Sequence, residues 1–269
     1  MRMYYKACLR LIIAGIFVFV LASCGTKSAP IKVEQKACFL KHFTHLPEVV
    51  YDLYIVVDVP VEGPKHLTDS ITEYLNETLY EFFDDGEERH LPYESVYTTD
   101  LEHLAEHYRE AYRPFFLEDS TGTHEFETDC LELRLVAQTD TYVTYEADWI
   151  FFGEGDEVAR DWVTFVKKDG HRLKEVISND NMLRFFEDHR EYIGEEILVE
   201  VQWDLDQGID VWLATPVGLL NDSVAYQYVY APGIFEDLTF PMEAIRPYLS
   251  RETQKLVSGK NKLLLFEAR

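Results

Sequence analysis

Basic residues are scarce in this chain: 25 Lys and Arg stand against 49 Asp and Glu, for a formal net charge of −24. So acidic a chain repels phosphate backbones and anionic lipid head groups, which argues against nucleic acid and makes any partner selected by charge a cationic one. Cysteine is scarce too, with four in 269 residues, and this excludes a disulfide-dense scaffold. Beyond residue 21 no apolar run approaches the roughly 20 residues that a membrane-spanning helix needs. The sequence also lacks a G-x-S-x-G nucleophile elbow, a phosphate-binding glycine loop and a CxxC pair, and no cofactor is expected. Apolar residues are not lacking: 47% hydrophobic and 14% aromatic content suffices for a sizeable core despite the charge.

What is present starts at the N-terminus. Arg2, Lys6 and Arg10 precede the apolar run Leu11 to Leu21, which ends in Leu21-Ala22-Ser23-Cys24-Gly25. Charged n-region, short h-region and small residues before the cut are the parts of a secretory signal, and the run is too short for a permanent span. The Leu-Ala-Ser-Cys order resembles the bacterial lipobox, which implies a signal peptide over 1–23 and a diacylglycerol on the Cys24 thiol. The alternative is an ordinary signal cut near Ala22, which exports the chain without anchoring it. The resemblance places the chain in the cell envelope, held to a membrane by the lipid on Cys24, at the periplasmic face or the outer-membrane surface. Losing Arg2, Lys6 and Arg10 with the signal takes the formal net charge from −24 to −27.

Cys8 departs with the signal and Cys24 is acylated, which leaves Cys38 and Cys130. In an oxidising compartment two remaining thiols suggest a disulfide closing a long loop, worth about 2–4 kcal/mol. Two unrelated buried thiols are the alternative.

Gly25-Thr26-Lys27-Ser28-Ala29-Pro30 reads as a small, polar tether within a tether and N-terminal segment over 24–45, with order beginning near Lys36. From Tyr51 the odd positions Leu53, Ile55, Val57 and Val59 are apolar, a period-two strand that Pro60 ends. Pro64 then starts a helix whose Leu67, Ile71, Leu75 and Leu79 form one stripe. Thr99 with Glu102 announces a second helix as a capping box. Leu131 to Leu135, Val143 to Phe151 and Val158 to Val166 alternate as an antiparallel meander. A third helix follows from about Asp180, with Leu183, Phe186, Ile193 and Ile197 inward. Short strands are expected around Val199 to Trp203 and Val224 to Tyr230, and a short proline-started helix over Pro241 to Leu249. The pattern gives an α+β class, antiparallel sheet packed with about three to four helices, with domains over 46–165 and 166–269.

His103-Leu104-Ala105-Glu106-His107 has the H-x-x-E-H order of inverted zinc peptidases. A helical wheel sets Leu101, Leu104 and Tyr108 inward, both histidines at one edge and Glu106 nearly opposite, so the glutamate cannot serve a metal held by His103 and His107. They read as surface histidines and only weakly as metal ligands. Acidic pairs such as Asp204 and Asp206 read as solvated charge, and no catalytic residue is assigned.

The C-terminal third carries a more specific pattern. Val217-Gly218-Leu219-Leu220, the run Val224-Ala225-Tyr226-Gln227-Tyr228-Val229-Tyr230-Ala231-Pro232-Gly233, and Leu238 through Pro241 to Leu249 resemble the DUF3298 family: a strand of alternating aromatics, a loop with Ala-Pro and glycine, and a proline-started helix. Lys168-Asp169-Gly170 to Leu183 is similar to the family's entry segment. Residues 46–165 resemble the companion domain found in anti-sigma factors of the RsiV type, whose exported part binds lysozyme, and in deacetylases of the PdaC type. Where the family often has Gly-Gly-Ala-His-Gly, this chain has Phe152-Gly153-Glu154-Gly155-Asp156, and neither a sigma-binding segment nor a deacetylase domain is read in it. The resemblance implies a non-catalytic binding module, with a cationic envelope or host protein such as a lysozyme as partner. An enzyme acting on envelope glycans or peptides, or a purely structural envelope component, are the alternatives. Tyr226, Tyr228 and Tyr230 share one face of their strand, and with Pro232 and Phe235 they form the expected docking edge.

Overall fold

The computed structural model describes residues 29–43, 50–83, 99–106, 128–152, 156–206, 217–231 and 234–258. Cys24, His107 and Pro232 lie outside them, as do the side chains of Tyr230 and Phe235. The class is α+β: a five-stranded sheet in the order β1-β2-β3-β4-β5 and a three-stranded sheet β6-β7-β8, each with helices on one face.

The large sheet is formed by β1 (Lys32–Phe43), β2 (Val50–Glu62), β3 (Thr128–Gln138), β4 (Tyr142–Phe152) and β5 (Asp156–Val166). All neighbours are antiparallel except β2 and β3. The meander falls where alternation placed it. Two expectations need correction. Order begins before Lys36, with an edge strand over Lys32–Phe43 that the sequence did not disclose: Ile31 is already buried, and its N–H donates to Gln138 Oε1 at 2.6 Å. Pro60 does not end β2, which runs to Glu62. It sits past the last β2–β3 partners, Val57 and Leu133, where a missing N–H costs no ladder bond. Beyond that pairing the Asp58 carboxylate accepts the Leu135 N–H at 3.0 Å.

Helix α1 (Lys65–Phe83) follows Pro64, whose carbonyl accepts from Leu67 and Thr68. Its stripe of Leu67, Ile71, Leu75 and Leu79 is fully buried against Ile55, Val57, Leu131, Leu133 and Phe165. Four such side chains at about 2 kcal/mol each stabilise this layer. Residues 101–106 are helical and add Leu101, Leu104 and Ala105 to the same core. Their cap is Asp100, which accepts from His103 N, and not Thr99.

The register also settles the cysteines. Cys38 on β1 pairs with Ile55 of β2, whereas Cys130 on β3 pairs with Tyr54. Adjacent β2 residues point to opposite faces, so the two thiols do as well, and β2 separates them by two strand spacings, about 9–10 Å. A disulfide tolerates about 7 Å between Cα atoms, and the expected Cys38–Cys130 bridge is therefore not formed.

The second core lies between the small sheet and the later helices. It comprises α2 (Asn179–Asp188), a 3-10 turn at Arg190–Tyr192, α3 (Glu195–Asp206), β6 (Val217–Leu219), β7 (Ser223–Ala231), β8 (Ile234–Pro241), α4 (Met242–Ile245) and α5 (Arg251–Val257). Ser178 caps α2 and Ser250 caps α5 through their hydroxyls. Phe186, Ile193 and Ile197 point inward as expected, joined by Met182 and Phe185. Residues 199–203 are helix, not strand: Ile197 and Val201 are buried one turn apart while Val199 and Trp203 face solvent.

Candidate binding surface

The aromatic strand is where the sequence pointed, but its tyrosines face inward. β7 is the central strand of the small sheet. Tyr226 packs edge-on to Phe186 at 5.8 Å and stacks with Phe240 at 6.0 Å, and Tyr226 and Tyr228 are 1% and 4% exposed. Burial pushes the Tyr226 phenol well above its ordinary range. A docking edge needs rings that a partner can reach, so these two tyrosines are core and not contact residues. Alternation identified one face correctly; it could not say that this face is the covered one.

The opposite face of β7 is covered as well, by the large sheet. Trp162 of β5 lies on Gly218 of β6, so closely that a Cβ there would stand 2.4 Å from the Trp162 ring. Beside it, Gln227 accepts from the Arg160 N–H at 2.7 Å and donates to Asp237 at 3.0 Å. The Arg160 guanidinium bonds Asp148 at 2.9 Å and also Asp237. Glu146 accepts the Trp162 indole N–H at 2.8 Å. Burial, with the neighbouring Asp148 adding to it, raises the Glu146 carboxyl above its ordinary range. Arg160 crosses the sheet–sheet seam to Gln227 and Asp237, while its bond to Asp148 and the Trp162–Glu146 bond brace it within the large sheet, so the array ties the two sheets together.

His103 and Glu106 are exposed on the helical residues 101–106, and among the described residues no three His, Cys, Asp or Glu side chains are grouped to hold a metal.

An accessible recess lies elsewhere, between α2 and α3. This cleft of about 490 Å³ is lined by Leu183, Phe186, Leu198 and Trp203, with Glu187 and Arg190 at its rim. Val199 is 64% and Trp203 59% exposed, and Tyr192 of the intervening turn is 37% exposed. Three of the five large apolar side chains recorded as exposed among the described residues thus fall on one short stretch. The signal was present in the sequence, since Glu195, Val199 and Trp203 recur every four residues along one helical face.

No family model matches the sequence, and no curated protein matches it. Two solved structures do resemble it in three dimensions. A member of the DUF3298 family from Bacteroides fragilis superposes with a TM-score of 0.55 at 14% identity, covering 87% of this chain and 99% of that one. A DUF3298 family protein from Pseudomonas aeruginosa gives 0.48 at 13% identity, over 82% and 96%. The first likeness establishes a shared fold along nearly the whole of both chains.

Proposed function

We propose that the chain is an envelope lipoprotein of DUF3298 type that binds a cationic protein, such as a lysozyme, without catalysing a reaction. The observation that carries this reading is the charge: an excess of 24 acidic over basic residues in a chain with a substantial folded core. Such a surface raises the local concentration of a basic protein and accelerates its encounter, with an effect that salt screens. The DUF3298 fold likeness supports the choice of partner class, because the sequence resemblance extends to exported modules that bind lysozyme. The anchor rests on Leu21-Ala22-Ser23-Cys24. A single myristoyl-length chain holds a protein to membranes only marginally; the diacylglycerol of a lipoprotein supplies two chains or more.

Two measurements test the reading. Immobilised chain should capture a basic lysozyme at low salt and fail to capture the same lysozyme after its lysines are acetylated; no capture of the unmodified protein contradicts the binding claim. Fatty-acid labelling in cells should mark the chain and not its Cys24→Ala variant, and equal label in both contradicts the anchor.

A further inference from the structure

The α2–α3 cleft has features that a core or a plain solvated helix does not explain. A tryptophan and a valine one turn apart stand mostly in water at its lip, although water-exposed apolar area of this kind is costly and interface anchors are enriched in tryptophan. Leu183, Phe186 and Leu198 form an apolar floor beneath them. Helix α3 carries five carboxylates, at positions 195, 196, 200, 204 and 206, and no basic residue. Of these, Glu195 lines the cleft, in the same four-residue row as Val199 and Trp203. Glu187 of α2 also lines it, so an acidic border is present on both helices, with Arg190 beside it.

From this we infer that the α2–α3 cleft, with Trp203 and Val199 at its lip, is the docking surface for a basic protein segment that inserts an aliphatic or aromatic side chain between the two helices. The inference rests on the proposed binding role and specifies where on the molecule it is performed. Charge complementarity selects the occupant. A second copy of this chain brings the same acidic border against itself, and an anionic lipid surface is repelled by it. A segment that alternates lysine or arginine with leucine-like side chains satisfies both features at once: its cations meet Glu187 and Glu195 while its apolar groups cover Val199, Trp203 and the floor. The acidic border then governs the association rate and the apolar contacts the dissociation rate.

The test uses the full chain, its Val199→Ala/Trp203→Ala variant and two probes. One probe is a synthetic helical peptide of Lys and Leu at helical spacing, with a twin in which every Lys is Glu; the other is a basic lysozyme. Because both substituted residues are exposed, the variant should keep its fold, which circular dichroism and melting check. The expected result is a Kd for the Lys peptide at least about tenfold weaker in the variant, the scale on which loss of an interface tryptophan acts, and no binding of the Glu twin. Equal affinity of wild type and variant for the Lys peptide overturns the inference, as does failure of the wild type to bind it or comparable binding of the Glu twin. A wild-type dimer in sedimentation that the variant abolishes overturns it in favour of a second copy. Lysozyme separates the two claims. If wild type and variant bind it equally, the binding role stands and this surface falls; if the peptide occupies the cleft and lysozyme is not bound, the lysozyme reading falls and the surface stands.

Discussion

Gly218 decides how near the two sheets can come. Its φ is not positive, so the position does not call for glycine on backbone grounds, and replacing such a glycine with alanine ordinarily stabilises by narrowing the unfolded ensemble. Here the added Cβ would meet Trp162 Cγ at 2.4 Å, and Trp162 is itself held by Glu146. Gly218→Ala should therefore destabilise by about 1–3 kcal/mol, the usual cost of overpacking, and lower Tm by several degrees in calorimetry. An unchanged or raised Tm would mean that the seam is looser than this contact implies. Residues elsewhere separate what a sequence discloses from what it withholds. The buried stripe of α1 could be read directly, because Leu67, Ile71, Leu75 and Leu79 allow only one inward face. Tyr226 and Tyr228 could not be assigned so: both faces of a central strand in a two-layer packing are covered, and period-two alternation says that faces differ without saying what lies over each.

At the scale of elements, the two misread segments have separate physical causes. β1 is an edge strand, with Glu34, Gln35 and Lys36 exposed, and such polar content protects an open edge from pairing with other chains. That protection erases the hydrophobic alternation by which a strand is recognised. α3 was ambiguous for a geometric reason. Val199, Val201 and Trp203 alternate as a strand would, yet residues four apart share a face in a strand and nearly share one in a helix. The Ile197–Val201 pair therefore fits either conformation, and packing of both side chains into the core beneath β7 resolves it. Because the proposed cleft is made by that helix, the strand reading concealed it, although the residues that line it were in view. The antiparallel meander and the helix after Pro64 emerged from the sequence because each has a long apolar face against a single layer.

The whole molecule carries its acidic balance into its pH behaviour. Burial raises the carboxyls of Asp58, Glu146 and Asp161 above their ordinary ranges. His171, bonded to Asp169 at 2.5 Å and to Glu252 at 3.0 Å, is raised by its hydrogen bond to Asp169 first. In each case the folded chain binds protons more tightly than the unfolded one. A raised carboxyl or histidine contributes stability below its unfolded pKa and loses it as pH rises through the folded value. The depressed carboxyls of Asp169 and Glu191 act in the opposite sense, but both are solvent-exposed and weigh less. Relief of self-repulsion among the surplus carboxylates adds to the same trend. The range from pH 8 down to 5.5 spans the raised titration of His171, so Tm should be higher at pH 5.5 than at pH 8 in matched ionic strength, and a flat or inverted profile would contradict this account of the His171 contacts.

The central claim is that an acidic envelope module recruits a cationic protein by long-range attraction and holds it by local contact. Stopped-flow association with a basic lysozyme across a salt series tests it most directly. The account predicts an association rate that falls steeply, by tenfold or more, between about 10 and 150 mM salt as the screening length shortens from about 30 to 8 Å, while the dissociation rate changes far less. An association rate independent of salt, or no association at the lowest salt, would contradict it.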